Sequence, residues 1–409
     1  FKKSIKQREG GEVYTFYDGP PTANGKPHIG HVLTRVIKDM IPRYRAMKGC
    51  KVLRKAGWDT HGLPVELEVE KKLGLESKTG IEGYGIEPFI KQCKESVWQY
   101  SNEWKKMSDR VGYWCDMDNP YVTYHDDYIE SEWWALKEIW KKGLLYKGYK
   151  IVPYCPRCGT ALSSHEVAQG YKDVKQTTAF VKFKVVGEEN KYILAWTTTP
   201  WTLPANMALA VSEKLEYGLY DVDGKKTIMA KSLAEKRLGE AAEALKTYSG
   251  AELVGLKYEP LFDMDDDIQK NENAHKVWAA DFVSAEDGTG IVHIAPAYGA
   301  DDFWAAKNID AKFPVLLNVD DYGNFDDTVV DFAGENIFAA TPHIMDWLKT
   351  NGRLVKKEQY KHSYPFGDRS KQKLIQRATN SWYIDVPKIK DKLLANNAQV
   401  NWTSAGERF

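Results

Sequence analysis

Val13-Tyr14-Thr15-Phe16-Tyr17-Asp18-Gly19-Pro20-Pro21-Thr22-Ala23-Asn24-Gly25-Lys26-Pro27-His28-Ile29-Gly30-His31 is the stretch whose reading decides the fold. Residues 13–17 are β-prone and apolar, and they run into a loop dense in chain breakers. Helical spacing follows over 28–47, where Ile29, Val32, Leu33, Val36, Ile37, Met40 and Ile41 recur at steps of three and four. Pro42 marks a kink or a boundary, and Gly49 closes the segment. Residues 50–53 can form a second strand. Strand, helix and strand in that order make a βαβ unit, and a doubly wound parallel sheet of the α/β class follows from it.

Further along, residues 88–147 read as helices, with Trp98, Trp104, Trp133, Trp134 and Trp140 among the periodic apolar positions. The texture changes at Ile151. Short β-rich runs at 177–186, 191–197 and 207–211 are separated by Gly and Asp turns. Residues 230–246 read as one helix, and strand texture returns at 277–283 and 291–294. Residues 171–355 are therefore expected to form a separate β-rich, barrel-like domain. No internal repeat or low-complexity segment interrupts the chain.

The 409 residues exceed an ordinary single domain, so two or three domains are expected. Lys plus Arg and Asp plus Glu both number 57, a formal charge of zero that gives no support to a general nucleic-acid binder. A neutral chain can still carry a basic face. Five cysteines, at 50, 93, 115, 155 and 158, make no even disulfide framework, which points to a reduced compartment. The opening Phe1-Lys2-Lys3-Ser4-Ile5-Lys6 lacks an apolar signal core, and no run of about 18 apolar residues exists. The expectations are a cytoplasmic chain with no membrane partner and, from its abrupt end at Arg408-Phe409, a fragment.

A helix N-terminus directly after a strand and a Gly/Pro loop presents unpaired amides and partial positive charge, which suits phosphate. His28 and His31 share a face there and can donate to a developing negative charge. Gly30 removes a side chain where a flat ligand could press. Two surface histidines beside a turn would be the plainer reading, but the placement of strand, loop and helix start favours the phosphate site.

His28-Ile29-Gly30-His31 resembles the signature tetrapeptide of class I aminoacyl-tRNA synthetases. Gly19-Pro20-Pro21-Thr22-Ala23-Asn24-Gly25 and Gly57-Trp58-Asp59-Thr60-His61-Gly62-Leu63-Pro64-Val65-Glu66 resemble the isoleucine enzymes within that class, and the likeness covers nearly the whole chain. The resemblance implies ATP with Mg²⁺, isoleucine and an isoleucine-specific tRNA as ligands, and a monomer. His28, Gly30 and His31 would bind ATP, Gly19 and Pro20 would line the amino-acid pocket, and Asp59 would pair with the substrate ammonium. An Asp before Thr-His-Gly could equally be a cap. The implied reaction is attack of the isoleucine carboxylate on the α-phosphorus of ATP, then transfer to the terminal ribose of tRNA. Such chemistry rests on positioning and charge stabilisation. Residues 1–150 would be the first half of the Rossmann-like catalytic domain. Residues 151–170 and 356–380 would form a connecting stalk, 171–355 an inserted editing domain, and 381–409 the start of the return. Lys106-Met107-Ser108-Asp109 partly mimics the second class signature, Lys-Met-Ser-Lys-Ser, but lies too early and reads as a solvated helix face. The true second signature is not among these residues.

Trp196-Thr197-Thr198-Thr199-Pro200-Trp201-Thr202-Leu203-Pro204-Ala205-Asn206 puts three hydroxyls at a strand end, where they could orient a water or a ribose. A β-prone Thr run would look the same. Gly288-Thr289-Gly290-Ile291-Val292-His293-Ile294-Ala295-Pro296 follows, with Gly299-Ala300-Asp301-Asp302-Phe303 behind it. His293 could be a core histidine, and Asp301 and Asp302 could cap a helix. Together the two elements resemble the hydrolytic editing site of isoleucyl-tRNA synthetases. On that resemblance Thr197, Thr198, Thr199, Asn206 and His293 contact the terminal adenosine and the water, and Asp302 holds the ammonium of the misattached residue. A pocket cannot exclude a smaller ligand, and one methylene is worth only ~1–3 kcal/mol, a limit for which this enzyme class is the standard illustration. A second site admitting valine and excluding isoleucine multiplies the two ratios.

Cys155-Pro156-Arg157-Cys158 is half of a zinc-ribbon pattern, and a structural zinc site wants four ligands. Some relatives place a second Cys pair after Ser-Tyr-Pro, but here Ser363-Tyr364-Pro365 is followed by Phe366-Gly367-Asp368-Arg369-Ser370. His165 or Asp368 could substitute. Zinc at Cys155 and Cys158 stays open, with partial occupancy expected. Three functions compete: an isoleucine-tRNA ligase with editing, a stand-alone hydrolase of mischarged tRNA, and an RNA-binding module. The paired editing motifs count against the last.

Overall fold

The computed structural model describes residues 2–16, 19–22, 25–239, 243–263 and 266–401. The chain divides into two compact units, Phe1–Lys147 with Trp382–Phe409, and Gly148–Ser381.

In the first unit, strands β1 (Lys55–Trp58) and β2 (Asp116–Val122) pair in parallel. Isolated parallel bridges Val13–Lys51 and Thr22–Asp59 flank the helix Ile29–Met47. The strand expected at 50–53 forms five residues later, at Lys55–Trp58, where β2 supplies a partner. Gly57 permits that pairing, because a Cβ there would lie 2.1 Å from the Tyr121 ring. No strand was expected within 88–147, yet β2 lies there: its polar Asp116-Met117-Asp118-Asn119-Pro120 start shows no alternation. Tyr17, Asp18, Ala23 and Asn24 of the opening stretch lie outside the described residues.

The helix Ile29–Met47 continues through Pro42. Below it, Trp58, Val65, Val97, Trp104 and Val122 form a small core, and Trp58 meets Trp98 and Trp104 edge-on at 6.4 Å. Lys106-Met107-Ser108-Asp109 sits in the helix Ser101–Arg110. Lys106 and Asp109 are exposed as expected, whereas Ser108 is buried and donates to the Trp104 carbonyl at 2.7 Å.

The second unit is built on strands. They are β3 (Leu145–Cys155), β4 (Thr160–Ala161), β5 (Tyr171–Lys184), β6 (Lys191–Thr197), β7 (Ala208–Val211), β8 (Glu216–Val222), β9 (Lys225–Ala230), β10 (Lys246–Ser249), β11 (Val277–Ala279), β12 (Val292–Ile294), β13 (Leu354–Pro365) and β14 (Ile375–Ile384). The large sheet runs β10-β8-β9-β6-β12-β7-β11, with β5 joining β6 and β13 joining β5. A three-stranded sheet runs β14-β3-β4. β6 is parallel to β9 and β12, while β7 is antiparallel to β12. With a parallel strand pair in the first unit and a mixed sheet in the second, the chain is α/β with a β-rich part.

The apolar positions of β5, β6, β7 and β9 pack into one continuous core with the helices Lys231–Leu238 and Ile337–Thr350. The helix expected over 230–246 stops at Leu238, where Gly239 takes a left-handed φ of 99°. Beyond it β10 pairs with β8, and residues 240–242 lie outside the described set.

Candidate functional site

In the first unit, His28 caps the helix Ile29–Met47 in extended backbone. Its Nδ1 accepts from the Gly30 amide at 3.2 Å, and His31 Nδ1 accepts from the His28 amide at 3.1 Å. Each Nδ1 is thus an acceptor, so each neutral ring carries its proton on Nε2. Burial lowers the pKa of His31, and the neighbouring His28 and Arg35 lower it further. The two rings lie 3.8 Å apart, and His31 rests 4.6 Å from Trp104. Trp104 Nε1 donates to the Gly25 carbonyl at 2.9 Å, fixing the end of the breaker-rich loop. At Gly30 a Cβ would stand 3.0 Å from the exposed His28 ring, which would have to give slightly.

Asp59 reaches the same loop from the end of β1. Its amide donates to the Pro21 carbonyl at 3.1 Å, and its carboxylate accepts from Thr22 Oγ1 at 3.2 Å. Thr60 and His61 are held by Thr123 Oγ1, at 3.1 Å from the Thr60 amide and 2.9 Å from His61 Nδ1. Gly19 is exposed with open space where a Cβ would be, and Pro20 is half-buried. The structure therefore brings Asp59 beside Pro21 and Thr22, and ties His31 to the loop through Trp104.

The second unit holds a closed relay. Tyr258 donates to Asn206 Oδ1 at 2.6 Å. Asn206 Nδ2 donates to the Ala208 carbonyl at 2.9 Å and to His293 Nδ1 at 2.7 Å. A carbonyl only accepts, so the amide nitrogen faces Ala208 and His293, and His293 Nδ1 must be an acceptor. His293 Nε2–H then donates to Thr202 Oγ1 at 3.0 Å, and Thr202 Oγ1 donates to the Thr199 carbonyl at 2.8 Å. Burial drives the His293 pKa down to about 4, so the ring is neutral. Both ring nitrogens are occupied, which makes His293 a positioning group for the short 3-10 helix Pro200–Ala205.

The three threonines differ in use. Thr197 Oγ1 accepts from the Thr199 amide at 3.1 Å, and Thr199 Oγ1 lies 3.3 Å from Thr202 Oγ1. Thr198 is half-buried, and its hydroxyl bonds to none of the described residues. Thr202 and Tyr258 complete the relay and were missed in the sequence. Thr202 stands inside the quoted motif, whereas Tyr258 gave no local signal.

Asp302 lies in the first turn of the helix Ala300–Ile309. Its carboxylate accepts from the Ala295 amide, two residues past His293, at 2.9 Å. Burial, reinforced by the Asp301 charge, raises its pKa to about 7. Gly299 makes room for it, since a Cβ there would lie 2.7 Å from the carboxyl carbon. Trp201 meets Tyr298 edge-on at 5.1 Å, which joins the 3-10 helix to the loop before Asp302. Gly288, with φ 72°, approaches Trp196 so closely that a Cβ would sit 2.8 Å from the ring. A half-buried carboxylate poised near neutrality can take an ammonium cation, and a free hydroxyl can orient a nucleophile.

Cys155 and Cys158 lie with sulfurs 2.8 Å apart, and Ser370 Oγ stands 3.5 Å from Cys155. His165 instead faces Gln169 at 3.3 Å, and Asp368 pairs with Lys371 at 3.1 Å. Among the described residues no three His, Cys, Asp or Glu side chains group as metal ligands, so a four-ligand zinc site does not fit. No described helix is long and apolar enough to cross a membrane.

The family described as class I tRNA synthetases (I, L, M and V) matches residues 1–408. The isoleucine–tRNA ligase of Clostridium novyi (strain NT) is 58% identical over 401 residues, covering 98% of this chain and 38% of that protein. The isoleucine–tRNA ligase of Bacillus thuringiensis (strain Al Hakam) is 51% identical over 402 residues, with the same coverage of 98% and 38%. The chain thus spans 38% of the length of these relatives. A solved structure titled "The crystal structure of GlLeuRS-CP1" covers 44% of this chain and 98% of its own at 15% identity, with a TM-score of 0.36. That likeness is too slight to argue from.

Proposed function

Because the chain belongs to the class I tRNA synthetase family, we propose that it serves an isoleucine-tRNA ligase and that its second unit hydrolyses mischarged valyl-tRNA. In this reading the first unit contributes half of a Rossmann-like nucleotide site. The Nε2–H groups of His28 and His31 are donors directed away from the capped amides, suited to the phosphates of ATP. Gly30 leaves a flat approach. Asp59 holds the isoleucine ammonium beside the Gly19–Pro20 turn. Mg²⁺ bound with the nucleotide would neutralise phosphate charge.

The editing reading rests on one observation: a fully satisfied buried relay, Tyr258–Asn206–His293–Thr202–Thr199, beside a hydroxyl that the protein leaves free. Thr198 would orient the attacking water or the terminal ribose, and Asp302 would take the α-ammonium of the misattached valine. His293 supplies geometry rather than base catalysis, since neither ring nitrogen is open. An extra methylene would press on close-packed walls, and overpacking costs about 1–3 kcal/mol. The test is deacylation by the 409-residue chain of isoleucine-specific tRNA charged with valine or with isoleucine. Valyl-tRNA should be cleaved and isoleucyl-tRNA spared, and Asp302→Ala should abolish the difference. Equal rates on both substrates, or an unaffected variant, would overturn the assignment.

A further inference from the structure

One face of the large sheet carries cations that the sheet does not neutralise. On β5, Lys182 lies opposite Leu194 and Lys184 opposite Tyr192 of β6. Alternation along the strands puts all four on one face. β9 runs beside β6 with Thr227 next to Tyr192, so Lys225, two residues earlier, shares that face. The ammonium of Lys182 stands 5.5 Å, and that of Lys225 5.4 Å, from the centre of the Tyr192 ring.

The surrounding charges do not cancel. Glu259 neutralises part of the group, holding Lys184 at 2.7 Å and Arg353 at 3.3 Å. Neither Lys182 nor Lys225 forms an ion pair with a described residue. Asp223, in the turn between β8 and β9, acts on Lys182 only from a distance. Lys182, Lys184, Lys225 and Arg353 against Asp223 and Glu259 leave two positive charges over. Burial first, then the neighbouring Lys225, pushes the Lys182 pKa down to about 8, against the Asp223 charge that raises it. Both lysines and the ring are half-buried, hence reachable and yet partly shielded from solvent screening.

We propose that Lys182 and Lys225, gathered over the Tyr192 ring, form a binding site for a phosphate group, whose oxygens bridge the two ammonium groups on the side away from the ring. A bridging anion replaces the repulsion between the lysines with two charge-assisted hydrogen bonds. The phosphate could come from an RNA backbone or be free in solution; the chemistry is shared. This goes beyond the ligase and deacylase reading and does not depend on it. Deacylation could fail altogether and leave the site standing.

The test uses the whole chain with isotopically labelled lysine side chains, titrated with inorganic phosphate and, separately, with a short single-stranded RNA lacking terminal phosphates. Lys182→Arg and Lys225→Arg, which keep the charge, assign the two resonances. Those signals should move with phosphate, with RNA, or with both. In Lys182→Gln/Lys225→Gln the slope of log affinity against log salt for RNA should fall by about 1–2. Lys214→Gln, at an exposed pair with Asp281 elsewhere, should leave it unchanged. A phosphate response with an unaltered RNA slope assigns free phosphate, and a lowered RNA slope without a phosphate response assigns the backbone. Lysine signals unmoved by either probe, together with a wild-type salt slope in the double variant, overturn the proposal. The wild-type titration stands even if the double variant folds poorly.

Discussion

Asp302→Asn should make the chain more stable in mild alkali while destroying the ammonium contact proposed for it. The carboxyl of an unfolded chain ionises near pH 3.9, whereas that of Asp302 holds its proton to about 7. Its folded pKa is raised, so the folded state favours the protonated acid. Stability is full below the unfolded value, falls as pH climbs from about 4 to 7, and stays reduced above. Roughly three pKa units at 1.36 kcal/mol each give a ceiling of about 4 kcal/mol, and solvent on the open side of the carboxylate trims this to about 2–4 kcal/mol. Asn keeps an oxygen to accept from the Ala295 amide, so the substitution removes the charge and little else. Urea unfolding of wild type and Asp302→Asn at pH 8 and at pH 4, followed by tryptophan fluorescence, measures the difference. The variant should gain at pH 8, and the gain should vanish near pH 4. Equal stabilities at pH 8, or a gain undiminished at pH 4, would refute the burial argument. An ammonium bound at Asp302 supplies the missing counter-charge, so ligand binding and the instability of the free site have one cause.

Other expectations concern the remaining groups. His293 has its pKa lowered to about 4, so its contribution is present above the unfolded value near 6.5 and disappears as pH falls through 4. His293→Gln should therefore flatten the acid limb of the stability profile, as acid titration of unfolding would show. Asn206→Ala strands the Tyr258 hydroxyl, His293 Nδ1 and the Ala208 carbonyl and should cost about 3–6 kcal/mol, against about 1–2 for Tyr258→Phe; urea unfolding measures both. His28→Ala and His31→Ala, placed in a full-length ligase, should each slow isoleucine-dependent pyrophosphate exchange by about 2–4 kcal/mol while leaving the fold intact. Elemental analysis should find well under one zinc per chain, because only two thiols and a hydroxyl meet at Cys155, Cys158 and Ser370.

Much of the frame was legible because it is local. A run of apolar residues at helical steps behind a Gly/Pro loop gave the Ile29–Met47 helix, and β-rich runs gave β6 to the residue and the C-terminal half of β5, whose polar start at Tyr171 carries no such run. β2 escaped because its pairing is decided by Gly57 and Tyr121, 64 positions apart, and its own composition is that of a polar loop. The helix over 230–246 was overextended because Gly239 competes with good helix formers on both sides, and only the β8 partner shows where the chain turns extended.

The site divides along the same line. Residue types in a motif announce which side chains are present, but a hydrogen-bond relay settles which of them are free. Thr197, Thr198 and Thr199 are equivalent as letters. In the fold, Thr197 and Thr199 are occupied by the turn they build, and Thr198 alone keeps an open hydroxyl. His293 reads as either a core histidine or a ligand contact until Asn206, 87 positions away, fixes its Nδ1 as an acceptor and Thr202 accepts from its Nε2–H. Asn206 in turn is oriented by Tyr258, which no motif contains. A donor and acceptor count around each buried polar group therefore narrows the proposed ligand contacts from the whole motif to Thr198 and Asp302, the two groups whose partners among the described residues leave something unfilled.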